Sequence, residues 1–158
     1  MDTFYIKKYK NIDINSIQIN KLNIKYNFNN FLIQSPIFLN YEILNLNTKK
    51  FLQLKLNESK ISHNKFLTLI NYIELKLNNF LQNNNNNNNN NNLIKTQINT
   101  DIQNKKSLKV KIIDDTKLFD KNKNEIHNLY TNKICLLLKL EFYNVYYCWT
   151  AIQILQLN

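Results

Sequence analysis

Residues 133–157, KICLLLKLEFYNVYYCWTAIQILQL, decide how this chain reads, because long apolar runs, the single Trp and a cluster of aromatics coincide only there. Two β-rich halves meet at Glu141 to Asn144, which predicts a hairpin closing the core. Trp149 is expected inside. Tyr143, Tyr146 and Tyr147 cannot all face inward on one strand, since successive strand side chains alternate between faces. At least one of them is expected at the surface.

Working outward, Leu108, Val110 and Ile112 alternate with Lys109 and Lys111, a half-exposed strand with a basic wet face; Asp114 and Asp115 are expected to end it. Residues 119–126 read as a polar turn between two anchors. In the first half the strongest strand signal is residues 51–56, where Leu52, Leu54 and Leu56 alternate with Gln53 and Lys55. Ile12 to Ile19 reads as a strand with a slip near Asn15 and Ser16. Leu22, Ile24, Tyr26 and Phe28 alternate with Lys21, Lys25 and Asn27, then a turn is expected at Asn29 and Asn30 and a short strand at residues 31–33. Pro36 lacks a backbone donor and confines Gln34-Ser35-Pro36 to a strand edge or end. Residues 38–43 read as a loop or an irregular extended piece.

Between these halves the period changes. Phe66, Leu69, Ile70, Ile73 and Leu77 fall at helical spacing and predict one amphipathic helix over about 64–79, capped by Ser62 or Asn64. The polyasparagine run 83–92 cannot bury enough apolar surface to offset its chain entropy, and is expected to be a disordered loop insertion. The chain contains no Gly, so Asn is expected to supply the left-handed backbone positions. About seven short strands, one helix and no βαβ alternation predict a mainly β fold: a small antiparallel OB-like barrel with one packed helix, in a single domain spanning 1–158.

Composition narrows the function classes. The net charge is +10, and the basic residues are all Lys. Such a balance favours phosphate backbones or anionic surfaces, although part of it reflects the codon bias of an AT-rich coding sequence. Lys acts as a point charge, whereas base-edge readout favours bidentate Arg, so binding tolerant of sequence is expected. Without Gly, the P-loop, dinucleotide and nucleophile-elbow motifs are excluded in their usual forms. His63 and His127 are isolated and read as surface or helix-edge residues. Asp114 and Asp115 point to opposite faces of a strand, and no acid/base pair is found. Cys135 and Cys148, flanked by apolar residues and outside any CxxC, read as buried free thiols. No catalytic residue, metal or cofactor is expected. No apolar run approaches the length of a membrane span, and an intracellular, soluble protein without membrane partners is expected.

The order of Phe31-Leu32-Ile33-Gln34-Ser35-Pro36, the 51–56 strand, the helix, Ser107 to Ile112, residues 119–126 and Trp149-Thr150-Ala151-Ile152-Gln153-Ile154 resembles the phage-type single-stranded DNA-binding proteins of nucleocytoplasmic large DNA viruses. The most specific pieces are the Gln-Ser-Pro and the Trp-x-x-x-Gln. The resemblance implies a non-enzymatic OB-fold protein that coats single-stranded DNA in replication, recombination or repair, in host cytoplasm or nucleus. Two departures mark a divergent member. Tyr146 and Tyr147 stand where the family has Gly before the Trp, and the chain ends Leu155-Gln156-Leu157-Asn158 without an acidic tail, so recruitment of replication proteins through such a tail is not expected.

Lys interleaved with aromatics is what single-strand binders use, with Lys on phosphates and aromatic rings on bases. Lys25, Lys55, Lys109 and Lys111 are expected to face phosphates, and Tyr26, Tyr146 and Tyr147 to stack bases. Single-stranded DNA is the expected partner; RNA and a second copy of the chain stay open. The alternative is a structural or protein-interaction barrel, such as a virion component, whose charge follows codon bias.

Overall fold

The computed structural model describes residues 4–19, 24–27, 29–84, 96–143 and 146–157. Eleven strands and one long helix are found among them: β1 (Tyr5–Lys8), β2 (Ile17–Ile19), β3 (Ile24–Tyr26), β4 (Asn29–Gln34), β5 (Tyr41–Leu46), β6 (Lys49–Lys55), α1 (Ile61–Asn84), β7 (Ile98–Thr100), β8 (Lys106–Phe119), β9 (Glu125–Ile126), β10 (Ile134–Tyr143) and β11 (Tyr146–Gln156). Their hydrogen-bonded order is β2-β3-β4-β10-β11-β8-β6-β5, with β1 on β4 and both β7 and β9 on β8. Most pairs are antiparallel, but β1 with β4 and β11 with β8 are parallel, so the sheet is mixed.

The terminal hairpin forms as expected. β10 and β11 pair from Ile134↔Gln156 to Tyr143↔Tyr146, so the turn falls later than Glu141; Asn144 lies outside the described residues. One extra residue, Ile152, interrupts the ladder, because Leu138 pairs with Ala151 and Leu137 with Gln153. Trp149 is 1% exposed. It lies in one cluster with Leu52, Leu54, Leu108, Val110 and Ile154 from the sheet, and Phe66, Ile70 and Ile73 from the helix.

Helix α1 is longer than the expected 64–79. The periodic positions Phe66, Leu69, Ile70, Ile73 and Leu77 are all buried, as an amphipathic stripe requires. Its start lies before Ser62 and Asn64 because the lead-in is organised by Asn57. The Asn57 side chain accepts from Ser59 N at 3.1 Å and its carbonyl from Lys60 N at 3.0 Å. At the other end the helix continues through Asn83 and Asn84, the first residues of the expected insertion; the rest of that run lies outside the described residues.

Several expectations are corrected. The sheet does not close into a barrel among the described residues: β2 and β5 end the path unjoined, and β1 occupies the edge of β4 beyond the two residues that pair with β3. Residues 38–43 are extended from Tyr41 onward, but as the regular strand β5 rather than an irregular piece, because β5 pairs with β6 through a two-residue turn at Asn47 and Thr48. Asp114 and Asp115 do not end β8. They sit in an irregularity across which the pairing with β11 jumps from Ile112 to Lys117, and Thr116 Oγ1 stitches it by donating to Ala151 O at 2.6 Å and accepting from Ile113 N at 3.0 Å.

The slip near Asn15 is a short 3-10 turn, Ile14–Ser16, with Asp13 as its cap. Asn29 and Asn30 belong to β4, and the left-handed residue before them is Asn27, at φ 48°. Leu22 and Phe28 lie outside the described residues. Asn does replace Gly at special backbone positions: Asn27, Asn47 and Asn104 have positive φ, joined by Lys123.

His63 is no surface residue but is 2% exposed. Its Nδ1 accepts from Asn57 N at 2.9 Å, which leaves the proton on Nε2 to donate to Ile37 O at 3.0 Å. A pair of backbone groups flanking the helix start thereby gains a partner inside the core. Cys135 and Cys148 are both free and buried, as read.

Candidate nucleic-acid interface

The face of the sheet turned away from the core cluster follows from pleat parity. On β8, Leu108 and Val110 are buried, so Ser107, Lys109 and Lys111 point to the other side. Their partners on β6 are Lys55, Gln53 and Phe51, in a register Lys55↔Ser107, Gln53↔Lys109 and Phe51↔Lys111. On the opposite edge of β8, Thr150 pairs with Lys111. Cys148 and Tyr146 share the parity of Thr150 on β11, whereas Tyr147 and Trp149 take the core side; of the three on the outward parity only Tyr146 is exposed, Cys148 and Thr150 being buried.

Polar contacts hold this face in place. Lys109 Nζ lies 4.3 Å from the centroid of the Phe51 ring, a cation–π arrangement. Gln53 Nε2 donates to Ser107 Oγ at 2.9 Å. Thr150 Oγ1 donates to Glu141 Oε2 at 2.7 Å, and Lys139 is 3.6 Å from the same carboxyl group. Lys55 is paired with Glu42 of the edge strand β5. By the same parity Lys49 of β6 joins Lys55, Lys109, Lys111 and Lys139 on this face, and Glu42 and Glu141 stand beside two of these five lysines.

The seven residues expected to touch nucleic acid are thus divided. Lys55, Lys109, Lys111 and Tyr146 lie on the outward side of three strands, with Tyr146 52% exposed. Lys25 sits elsewhere, on β3 between Gln18 and Asn30. Tyr26 and Tyr147 are 6% and 1% exposed, which removes both rings from any stacking surface. Tyr26 packs on Phe31 at 5.6 Å. The Tyr147 hydroxyl is held well above its ordinary pKa by burial and by the nearby Glu74 charge.

Phe51, Gln53 and Lys139 were missed. Period-two parity within residues 51–56 puts Phe51 and Gln53 beside Lys55, so two of the three had a readable signal. Lys139 joins them only through the tertiary pairing of β10 with β11.

No group of three His, Cys, Asp or Glu side chains able to hold a metal is found among the described residues. No helix among them is long and apolar enough to cross a membrane. Comparison with known proteins finds no family model, no characterised protein and no solved structure that matches this chain.

Proposed function

We propose that this protein binds single-stranded nucleic acid, DNA above all, without sequence preference, along the outward face of β6, β8 and β11. One observation carries the reading: Lys55, Lys109 and Lys111, from two directly paired strands, share one side with Phe51 and the exposed Tyr146. Lysines would track phosphates and the aromatic rings would stack bases, a combination that needs no base-edge readout. The Phe51 ring already carries the Lys109 ammonium, so a base stacked there would meet a cation beside it. An OB-like relationship, and membership of the viral single-strand binders that the chain resembles, are part of this proposal. They are supported by the β-rich sheet, the single helix packed on one face and the basic opposite face, while the open sheet marks a divergent form.

Titration of a labelled oligo-dT against salt tests the proposal. The affinity should fall steeply with salt, and Lys109→Gln with Lys111→Gln should flatten the log–log slope by about 1.4, at ~0.7 per phosphate contact on a single strand. Tyr146→Ala should lose roughly 1 to 3 kcal/mol. Absence of binding at about 50 mM salt, or a slope indifferent to both lysines, would sink it.

The second reading, a protein-interaction module, is favoured by β5. This edge strand leaves Ile43 and Leu46 at least 46% exposed, and an unpaired edge with apolar side chains is a template for another strand. Binding of a protein partner that survives high salt, with no oligonucleotide binding, would select it.

A further inference from the structure

A second basic region lies away from the outward sheet face and does not depend on the reading given to that face. Between the 3-10 turn Tyr9–Asn11, the segment following β4, the lead-in to α1 and the start of β10 is an open concavity of about 460 Å³. Lys8, Lys10, Lys60 and Lys133 stand on its wall, and no carboxylate does. Among the described residues, the ion pairs Lys55 with Glu42, Lys106 with Glu58 and Lys139 with Glu141 involve none of these four lysines. On the sheet face two glutamates stand beside the lysines; the described residues that line this hollow include no carboxylate.

We infer that this concavity is a binding site for a phosphorylated ligand of nucleotide size. Four lysines lining one hollow concentrate positive charge there, and an anion with several charged oxygens would offset it while releasing counterions. The helix start adds to the field. Ser62, in the first turn of the 24-residue α1, lines the hollow, and that turn carries no acidic residue. No acidic side chain of that turn offsets the positive end of the helix dipole near the hollow.

The volume exceeds what one phosphate needs and falls in the range of small-molecule sites, roughly 300 to 1,000 Å³. An apolar part of the ligand also has a place. Ile37 and Leu39 are 44% and 43% exposed on the wall. The Tyr9 ring beside them is fixed edge-on against Phe66 at 5.9 Å. Lysines, unlike arginines, impose no bidentate geometry, so the site suits a flexible di- or triphosphate more than one fixed oxyanion.

The wall is also rigidly built, which explains the Gln34-Ser35-Pro36 segment. Ser35 N donates to Leu136 O at 2.9 Å, and Leu136 N donates back to Ser35 Oγ at 3.0 Å. Cys135 Sγ donates to Ser35 O at 3.3 Å. This clamp ties the end of β4 to β10 and brings Lys133 opposite the chain that carries Lys8. Both a free nucleoside polyphosphate and the phosphates of a strand offer the required chemistry.

The experiment uses the full chain with a fluorescent nucleoside triphosphate and, separately, inorganic tripolyphosphate, at about 50 mM salt. Wild type should bind at least the nucleotide. The pair Lys60→Gln with Lys133→Gln should weaken binding about tenfold or more, and Lys8→Gln with Lys10→Gln should do the same. The exposed control pair Lys117→Gln with Lys121→Gln should leave it unchanged. Melting curves without ligand verify that each variant folds. Displacement by an oligo-dT strand would assign the natural occupant to nucleic acid, and failure of displacement would assign it to a free nucleotide; either keeps the site. The inference is overturned if wild type binds neither probe, or if the control pair weakens binding as much as the pocket pairs. Neither result bears on the salt slope of the sheet face.

Discussion

Replacing Glu74 by Leu removes the acceptor at the centre of the core's polar network. Glu74 is 4% exposed on the buried side of α1. Its Oε1 accepts from Trp149 Nε1 at 3.2 Å and from Gln97 N at 3.4 Å, while Oε2 accepts from the Thr96 hydroxyl. Trp149 is 1% exposed, so in Glu74→Leu its indole N–H has no water to turn to. An orphaned buried donor costs roughly 1 to 3 kcal/mol. Thr96 is exposed and Gln97 half-buried, so their donors recover water and together add about 1 kcal/mol net.

The sum, roughly 2 to 4 kcal/mol, should lower the melting temperature by about 5 to 15 °C for a chain of this size. Glu74→Gln keeps one oxygen for the indole and should lose about half as much. Trp149 is the only Trp, so its fluorescence follows both the unfolding and the environment of the network. A Glu74→Leu protein within about 0.5 kcal/mol of wild type, or a Gln variant as unstable as the Leu variant, would refute the reasoning.

Tyr147→Phe should leave stability at neutral pH within about 1 kcal/mol of wild type, because the buried hydroxyl has no hydrogen-bond partner among the described residues. It should also protect against alkali: the raised folded-state pKa means that the unfolded chain ionises first, so wild type loses stability as the pH climbs past about 10, and denaturant midpoints of the two proteins should diverge there. His63→Leu should destabilise by roughly 2 to 4 kcal/mol, since Asn57 N–H and Ile37 C=O both lose their partner, and a denaturation curve matching wild type would remove His63 from that role. Asp120 accepts from Asn122 N and Asn124 N, each at 2.8 Å, and these bonds, those from Asn124 foremost, hold its carboxyl below the usual range. Its contribution should be present above about pH 4 and fade as the pH drops through the lowered folded-state pKa; an NMR titration of Asp120 with an ordinary midpoint would contradict this.

What the sequence by itself determined is periodicity. Alternation at Leu52–Leu54 and Leu108–Val110 and the helical spacing from Phe66 to Leu77 mark which side chains enter the core, because a strand or helix must hide its apolar face whatever it packs against. The same alternation separates Tyr146 from Tyr147 and places Lys109 and Lys111 together, whereas Lys55, Lys139 and Tyr146 join them only through the pairing of β6, β10, β11 and β8.

Which of the two tyrosines is inside was decided only by the tertiary structure, where Trp149 and Ala151 share the parity of Tyr147 and meet the helix. Burial of Glu74 and His63 was hidden for the same reason: their partners, Trp149, Thr96, Asn57 and Ile37, come from other elements, and a polar side chain is tolerated in a core only where those partners arrive. The irregularity at Asp114 and Asp115 left no apolar pattern to read. The openness of the sheet depends on which edges β1 and β5 occupy, a choice that local alternation does not encode. The hollow ringed by Lys8, Lys10, Lys60 and Lys133 is the extreme case, since its charges come from segments with no common spacing. They are brought together only when the Ser35 clamp and the start of the helix set their walls.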